Sequence, residues 1–87
     1  MKYYYVYVLH NPVNGFVYIG FSSNLKQRIN YHNAGRVKST KHYLPLTLVF
    51  YEAYIKKSDA MRREKYLKTS RGKTTLKTRL KDYFSDV

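Results

Sequence analysis

The chain has 87 residues, 44% of them hydrophobic, which leaves room for one compact domain over residues 1–87. Seventeen Lys and Arg against five Asp and Glu give a formal charge of +12, which predicts a polyanionic partner. Eleven Tyr and four Phe argue against a disordered chain, and the absence of Cys excludes a disulfide scaffold, a Cys-ligated zinc site and a cysteine nucleophile.

The N-terminal segment does not have the features of an export signal or a membrane anchor. Residues 1–9 are too few and too rich in Tyr for a signal peptide, and no apolar run in the sequence reaches about 18 residues. The lack of Cys suits a reducing compartment. We therefore expect a soluble, cytoplasmic protein with no membrane partner.

The first two predicted elements form a hairpin. Residues 3–9 are aromatic, β-branched or Leu, which predicts a strand. A loop with Pro and an Asn-Gly pair separates this segment from a second strand-like run at 16–21. Tyr7 and Tyr18 are therefore expected on adjacent strands.

A helix and a third strand follow the hairpin. Three consecutive N-cap candidates precede an apolar stripe at spacing i, i+4 and i+7, which predicts a first helix over 24–34. Gly35 would end this helix. After Pro45, residues 46–51 are rich in β-branched, aromatic and Leu side chains and predict a third strand.

Two helices are predicted at the C-terminal end. Ser58 or Asp59 would cap a second helix that runs to about Thr69, and residues 70–72 would break it. An apolar stripe over 76–84 predicts a third helix. The predicted fold is α/β, with element order ββαβαα and a three-stranded, mostly antiparallel sheet flanked by three helices.

Glu64 is the most informative residue because its position is not explained by packing. It falls in the apolar stripe of the second helix, between Ala60 and Leu67 at spacing i, i+4 and i+7. Two interpretations stay open. Glu64 is a stripe-edge carboxylate paired with Arg63 or Lys68, or it is a ligand for a hard cation such as Mg²⁺, which takes few carboxylates plus water and substrate phosphate.

Five other residues each have a structural and a functional interpretation. Arg28 and His32 are four residues apart and share one helix face. In the structural interpretation Arg28 is a solvated cation and His32 is a histidine at the margin of the core. In the functional interpretation Arg28 binds a phosphate and His32 lies beside it. Tyr7 and Tyr18 are core aromatics or phenols for acid–base chemistry. Gly20 is unusual within a strand and predicts a bulge or a close approach by a ligand or backbone.

Taken together, these residues resemble the GIY-YIG nuclease superfamily over nearly the whole chain. The two short motifs would be Tyr5-Val6-Tyr7 and Tyr18-Ile19-Gly20, ten residues apart along the chain. Arg28 comes eight residues after the second motif, His32 four residues later, and Glu64 lies on the following helix. The chain is similar to small stand-alone bacterial members and to the N-terminal domain of the excision-repair nuclease.

This resemblance implies hydrolysis of a phosphodiester with one divalent cation, Mg²⁺ or Mn²⁺. Glu64 would hold the metal, and Arg28 would contact the scissile phosphate. Tyr7 and Tyr18 would flank the attacking water, one of them as its base, and His32 would support proton transfer or phosphate binding. Which tyrosine is the base stays open.

The chain departs from the family pattern at two positions. Tyr5 stands where the first motif has its first glycine. Phe21 stands where several relatives have a lysine directly after the second motif, so that proton-handling group is missing or supplied from elsewhere, for example by Lys41 or His42.

The leading hypothesis is therefore a metal-dependent endonuclease that acts on nucleic acid, with DNA favoured over RNA and structure over sequence. A monomer that nicks one strand is favoured over a dimer. Eleven of the 17 basic residues lie within 56–87, so the C-terminal helices would grip the phosphate backbone. The predicted nucleic-acid contacts are Lys41, His42, Arg62, Arg63, Lys68, Arg71 and Lys73.

Two other functions stay open. One is a nucleic-acid-binding module with little or no catalysis on the same scaffold, since small basic, aromatic-rich domains bind by charge and stacking alone. The other, ranked last, is a basic protein that docks onto an acidic protein or membrane surface.

Overall fold

The structure, a computed structural model, describes residues 1–86. Its elements in chain order are β1 (Tyr4–His10), β2 (Val17–Ser22), α1 (Leu25–Asn33), a 3₁₀ turn (Lys41–Tyr43), β3 (Thr47–Tyr54), α2 (Lys57–Leu67), α3 (Ser70–Arg79) and α4 (Lys81–Ser85). The predicted α/β class is confirmed. No helix within residues 1–86 is long and apolar enough to cross a bilayer.

The sheet has the order β2-β1-β3, and both strand pairs are antiparallel. The predicted hairpin is confirmed, and its loop is closed where the Asn11 N–H donates to the Phe16 carbonyl at 2.9 Å. β3 is longer than predicted because its pairing with β1 continues to Tyr54, which lies opposite Tyr4. β1 is therefore the central strand, with neighbours on both edges.

The two faces of β1 contact different helices, because successive side chains of a strand point to opposite sides. One face packs against α2 and α3 in a cluster formed by Val6, Val8, Ile19, Ala60, Leu67 and Leu76. On the other face Tyr7 and Leu9 pack against Leu25 and Ile29 of α1. The sheet is thus enclosed between α1 on one side and α2 with α3 on the other.

The first helix agrees with its prediction, and the second begins earlier than predicted. Asn24 is the N-cap of α1, where its side chain accepts from the Gln27 N–H at 3.1 Å. The predicted cap of α2 at Ser58 or Asp59 is wrong, because the helix begins at Lys57 and both residues lie in its first turn. There the Asp59 carboxylate faces the positive end of the helix dipole.

The junction of α2 and α3 corrects another prediction. Residues 70–72 do not break a helix; they form the first turn of α3. Thr69 caps this turn and accepts from the Gly72 N–H at 3.0 Å. A Cβ on Gly72 would lie 2.0 Å from the Tyr66 carbonyl oxygen and 2.5 Å from the Leu67 Cα, so Gly72 permits a close crossing of two helices.

The predicted third helix is divided into two. α3 ends at Arg79 and α4 begins at Lys81, because Leu80 between them leaves the helical conformation, with φ −108° and ψ 31°. The apolar stripe continues across this corner, since Leu76 and Leu80 both pack against the α2 face of the sheet.

Candidate active site

The Tyr7 ring extends from β1 over the edge strand β2 at Gly20, which has no side chain. The two residues are paired in the β1–β2 ladder. A Cβ on Gly20 would be 2.4 Å from both Cζ and Oη of Tyr7 and 2.9 Å from Cε2 of Tyr18. The close approach that a strand glycine predicts is therefore made by a tyrosine ring, and it directs the Tyr7 hydroxyl towards β2.

The Tyr7 hydroxyl belongs to a buried hydrogen-bond network. Its oxygen is 2.8 Å from Nε2 of His32, and it accepts a longer hydrogen bond of 3.4 Å from Nε of Arg28. Nδ1 of His32 is 2.7 Å from Oγ1 of Thr40, whose hydroxyl donates to the Val37 carbonyl at 3.4 Å. No buried side-chain nitrogen or oxygen in residues 1–86 lacks a partner.

The network fixes the protonation of His32. Burial, with a further contribution from the Arg28 charge, lowers the pKa of His32 to about 4, so the imidazole is neutral at pH 7. Because Thr40 donates its proton to a carbonyl, its oxygen accepts from Nδ1–H of His32. We therefore assign Nε2 of His32 as the acceptor of the Tyr7 proton. Each group then donates to the next, from Arg28 to Tyr7, from Tyr7 to His32 and from His32 to Thr40.

Burial raises the pKa of Tyr7, against the opposing effect of the hydrogen bond from Arg28. Tyr18 and the Glu64 carboxylate add smaller contributions that raise it further. Tyr7 is fully buried, so its hydroxyl is a neutral phenol at pH 7. Glu64 itself lies on α2, which packs against the other face of the sheet.

Tyr18 and Arg28 form the more exposed side of the same cluster. The Tyr18 ring centroid is 6.2 Å from that of Tyr7 and 5.0 Å from that of His32. Tyr18 and Arg28 are half-buried, whereas Tyr7 and His32 are inaccessible to solvent. The structure thus brings together four of the five predicted catalytic residues, with a phenol and a guanidinium outside and a phenol and an imidazole inside.

Glu64 lies on α2 with its side chain 22% exposed, and it pairs with Lys68, whose Nζ is 3.4 Å from Oε2. Of the two pairings that the sequence left open, this is the one that forms. No group of three or more His, Cys, Asp or Glu within residues 1–86 is arranged to hold a metal. Glu64 could therefore supply a single carboxylate to a cation, and the other ligands would be water and substrate phosphate.

Arg63, a predicted nucleic-acid contact, is engaged inside the protein. Its guanidinium donates to both carboxylate oxygens of Glu52, at 2.9 and 3.3 Å, and lies 5.4 Å from the Tyr66 ring centroid. Burial raises the pKa of Glu52, but the hydrogen bonds from Arg63 and Tyr54 outweigh it and hold that pKa below its ordinary value. This pair ties α2 to β3.

The other predicted contacts are exposed but lie on two sides of the sheet. Lys41 and His42 lie in the 3₁₀ turn next to Thr40, on the side of α1. Arg71 and Lys73 lie on α3, against the opposite face. Arg62 and Lys68 belong to α2 and its C-terminal end, where Arg62 pairs with Asp59.

Phe21 replaces the lysine that several relatives have after the second motif, but Tyr7 still has a proton acceptor. Phe21 stacks on Tyr4 at a centroid distance of 6.3 Å and packs on the α2 side of the sheet. The Tyr7 hydroxyl bonds to His32, whereas Lys41 and His42 are exposed.

Thr40 and Glu52 have structural roles that the sequence interpretation missed. Thr40 is fully buried, yet it lies in a polar stretch that carries no signal, and only the fold brings its hydroxyl to His32. Glu52 did have a signal, because it is a carboxylate within an otherwise apolar and aromatic strand.

The chain thus forms a small α/β domain whose sheet and first helix position this cluster. The family model described as the GIY-YIG catalytic domain matches residues 3–79, so the chain belongs to the GIY-YIG family, a nuclease family. A UPF0213 protein of Staphylococcus haemolyticus is 43% identical over 70 residues, which cover 79% of this chain and 84% of the relative. A UPF0213 protein of Streptococcus agalactiae serotype V is 40% identical over 65 residues, 74% of this chain and 73% of the relative. No solved structure matches significantly.

Proposed function

We propose that this protein is a metal-dependent endonuclease that hydrolyses phosphodiester bonds in DNA. It would choose its cleavage site by the structure of the DNA and not by the base sequence. The observation that carries the proposal is the hydrogen bond of 2.8 Å between the Tyr7 hydroxyl and His32. It joins a phenol to a neutral imidazole whose other nitrogen is held by Thr40. A positioned proton acceptor of this kind is what general-base catalysis requires.

In the proposed reaction Tyr7 is the base, and Tyr18 orients the attacking water from the more exposed side. The water loses a proton to Oη of Tyr7 as the Tyr7 proton passes to Nε2 of His32. The water oxygen attacks phosphorus, the bond to the leaving oxygen breaks, and that oxygen takes up a proton from solvent. The Arg28 charge contributes to lowering the pKa of His32, so a phosphate bound to Arg28 would offset that charge and make His32 a better proton acceptor.

Arg28 has two positions in this scheme. In the structure its Nε donates a hydrogen bond to the Tyr7 oxygen at 3.4 Å, which is long and therefore weak. A bound phosphate is a stronger partner for the guanidinium, because both groups are charged. Movement of Arg28 onto the phosphate would open the buried Tyr7 hydroxyl to the attacking water.

Glu64 is the residue that would hold the divalent cation, Mg²⁺ or Mn²⁺. When bound, such a cation neutralises charge on the phosphate and polarises its P–O bonds. Lys68 would be released from Glu64 and could then contact phosphate, which makes it one of the proposed backbone contacts. Arg63 is the predicted contact that we leave out, since its guanidinium is engaged by Glu52.

The exposed cations would hold the DNA backbone without reading its sequence. The proposed contacts are Lys41, His42, Arg62, Lys68, Arg71 and Lys73. Lys and Arg contacts to phosphate position a duplex but carry no base information. We propose a monomer that nicks one strand, acting in the cytoplasm, a compartment that the cysteine-free sequence suits.

The test is nicking of supercoiled plasmid and cleavage of branched DNA with Mg²⁺ or Mn²⁺, comparing the wild type with Glu64→Gln. We expect the variant to bind DNA but to cleave at least about 100-fold more slowly. Asp82→Asn, an exposed carboxylate on α4, is the matched control and should cleave normally. Unchanged cleavage by Glu64→Gln would remove the metal assignment.

A non-catalytic nucleic-acid-binding module is the second candidate, and the Glu64–Lys68 ion pair favours it. That pair accounts for the Glu64 carboxylate without any metal ion. In this case DNA would be bound but not cleaved under any of these conditions, and Glu64→Gln would bind as tightly as the wild type or more tightly.

A further inference from the structure

A groove lies beside the Tyr7 cluster, on the side of the sheet that faces α1. Its volume is about 590 Å³, within the range of about 300–1,000 Å³ that is usual for ligand sites. Tyr5 and Tyr51 line it from the sheet, and Leu25, Lys26 and Asn30 line it from α1.

The sheet side of the groove is aromatic and open to solvent. The rings of Tyr5 and Tyr51 are 6.1 Å apart between centroids, at an interplanar angle of 62°. Tyr51 lies on the edge strand β3 and is 54% exposed, so its ring is accessible to a ligand. Tyr5 is the residue that stands where the family motif has a glycine, so this wall depends on the chain's own departure from the motif.

The charge of the groove suits a nucleotide. No Asp or Glu of residues 1–86 lines it, and Lys26 is exposed on the helix side. None of the three ion pairs in this part of the chain involves Lys26. The amide of Asn30 can both donate and accept, as recognition of a base edge requires.

The groove and the proposed catalytic cluster lie on the same face of the sheet. Tyr5 and Tyr7 are two residues apart on β1, so their side chains leave the same face about 7 Å apart. Tyr51 lies directly opposite Tyr7 in the β1–β3 pairing. Tyr18 lies on β2 and Tyr51 on β3, so a DNA strand whose phosphate is held by Arg28 would cross β1 to place a neighbouring base in the groove.

We propose that this groove binds one unpaired nucleobase by stacking it on Tyr51, with the Tyr5 ring at the edge of the base, on the same face of the sheet as the scissile phosphate. The inference rests on the proposed function, and it names the substrate class: DNA with unpaired nucleotides at the point of cleavage. Bases in a duplex are stacked on one another, so only an unpaired base presents its face to an aromatic side chain.

The test is equilibrium binding by fluorescence anisotropy without divalent cation, so that its outcome does not depend on cleavage. Three labelled probes are compared: a duplex with a short single-stranded overhang, the same duplex with abasic sites in the overhang, and a blunt duplex. Tyr51→Ala should weaken binding of the first probe by about tenfold and leave the other two unchanged. Tyr51→Phe, which keeps the ring, should bind like the wild type.

Tyr3→Ala is the matched control, because Tyr3 is an exposed tyrosine outside the groove. The proposal is overturned if Tyr51→Ala weakens all three probes equally or none of them. It is also overturned if sedimentation shows a dimer that Tyr51→Ala dissociates, since the groove would then be a protein interface. Failure of the wild type to cleave, with base-dependent binding intact, would refute the nuclease and leave this site standing.

Discussion

At the scale of single residues, the absence of one side chain organises the site. The Tyr7 ring occupies the space of a Gly20 side chain, so Gly20→Ala would force a fully buried ring to move. We expect a loss of about 1–3 kcal/mol in the free energy of unfolding, as in other overpacked cores, and loss of cleavage. Urea unfolding measures the first and plasmid nicking the second, with the exposed Ser39→Ala as control. Wild-type stability in Gly20→Ala would show that the contact is not close.

His32 makes stability depend on pH. Its pKa is about 4 in the folded protein and 6.5 in an unfolded chain, so the unfolded state binds more protons between these values. The contribution of His32 to the free energy of unfolding is fully present above about pH 6.5 and is lost as the pH falls towards 4. We expect the free energy of unfolding, measured in urea, to be about 2 kcal/mol lower at pH 5 than at pH 7. Buried His10, whose pKa is also lowered by burial, adds to this effect with the same sign.

The matching variant is His32→Gln, which removes the titrating group. Its free energy of unfolding should change less between the two pH values than that of the wild type. An equal change in both proteins would show that His32 is not held neutral by the fold.

The sequence was informative for the site residues at recognisable spacings and silent for Thr40. Tyr7, Tyr18, Arg28 and His32 could be named from motif order and helix spacing, and the structure brings them together. Thr40 could not, because a hydroxyl in a polar stretch has no periodicity. Its role depends on where the chain returns after α1, which is a tertiary property.

At the scale of secondary structure, the corner between α2 and α3 depends on Gly72. A Cβ there would meet the backbone of Tyr66 and Leu67, which cannot move aside as a flexible side chain can. We expect Gly72→Ala to lower the free energy of unfolding by about 3 kcal/mol or more, although alanine usually favours a helix. Thermal or urea unfolding beside Thr78→Ala, an exposed position on α3, checks this. A more stable Gly72→Ala protein would contradict the close crossing.

The same corner shows what local patterns cannot predict. Ser-Arg-Gly at 70–72 is typical of a helix break, and read locally it ends the second helix. In the structure the glycine serves packing between helices, which depends on the partner helix and not on the local sequence. The strands were predicted more accurately, because their dense aromatic and β-branched runs favour one structure and β1 is buried on both faces.

At the scale of the whole molecule, the formal charge of +12 should appear as a steep salt dependence of DNA binding. The logarithm of the affinity should fall linearly with the logarithm of salt concentration, and each phosphate contact adds about 0.9 to the slope. Replacing Arg71 and Lys73 with Gln should therefore reduce the slope by about 2. Lys2→Gln is the control, since that ammonium lies 5.5 Å from the Tyr4 ring centroid.

The double variant also tests which side of the protein meets DNA. Its two cations lie on α3, whereas Lys41 and His42 lie on the side of α1. An unchanged slope in the double variant would place the DNA on the α1 side alone.

The most direct measurement of the central claim is the rate of plasmid nicking by Tyr7→Phe in Mg²⁺. This variant removes one oxygen, the atom that joins Arg28 to His32 in the hydrogen-bond network. The account predicts a folded protein that binds DNA and cleaves about 100-fold or more slowly than the wild type, while Tyr3→Phe cleaves normally. Cleavage by Tyr7→Phe at the wild-type rate would contradict it.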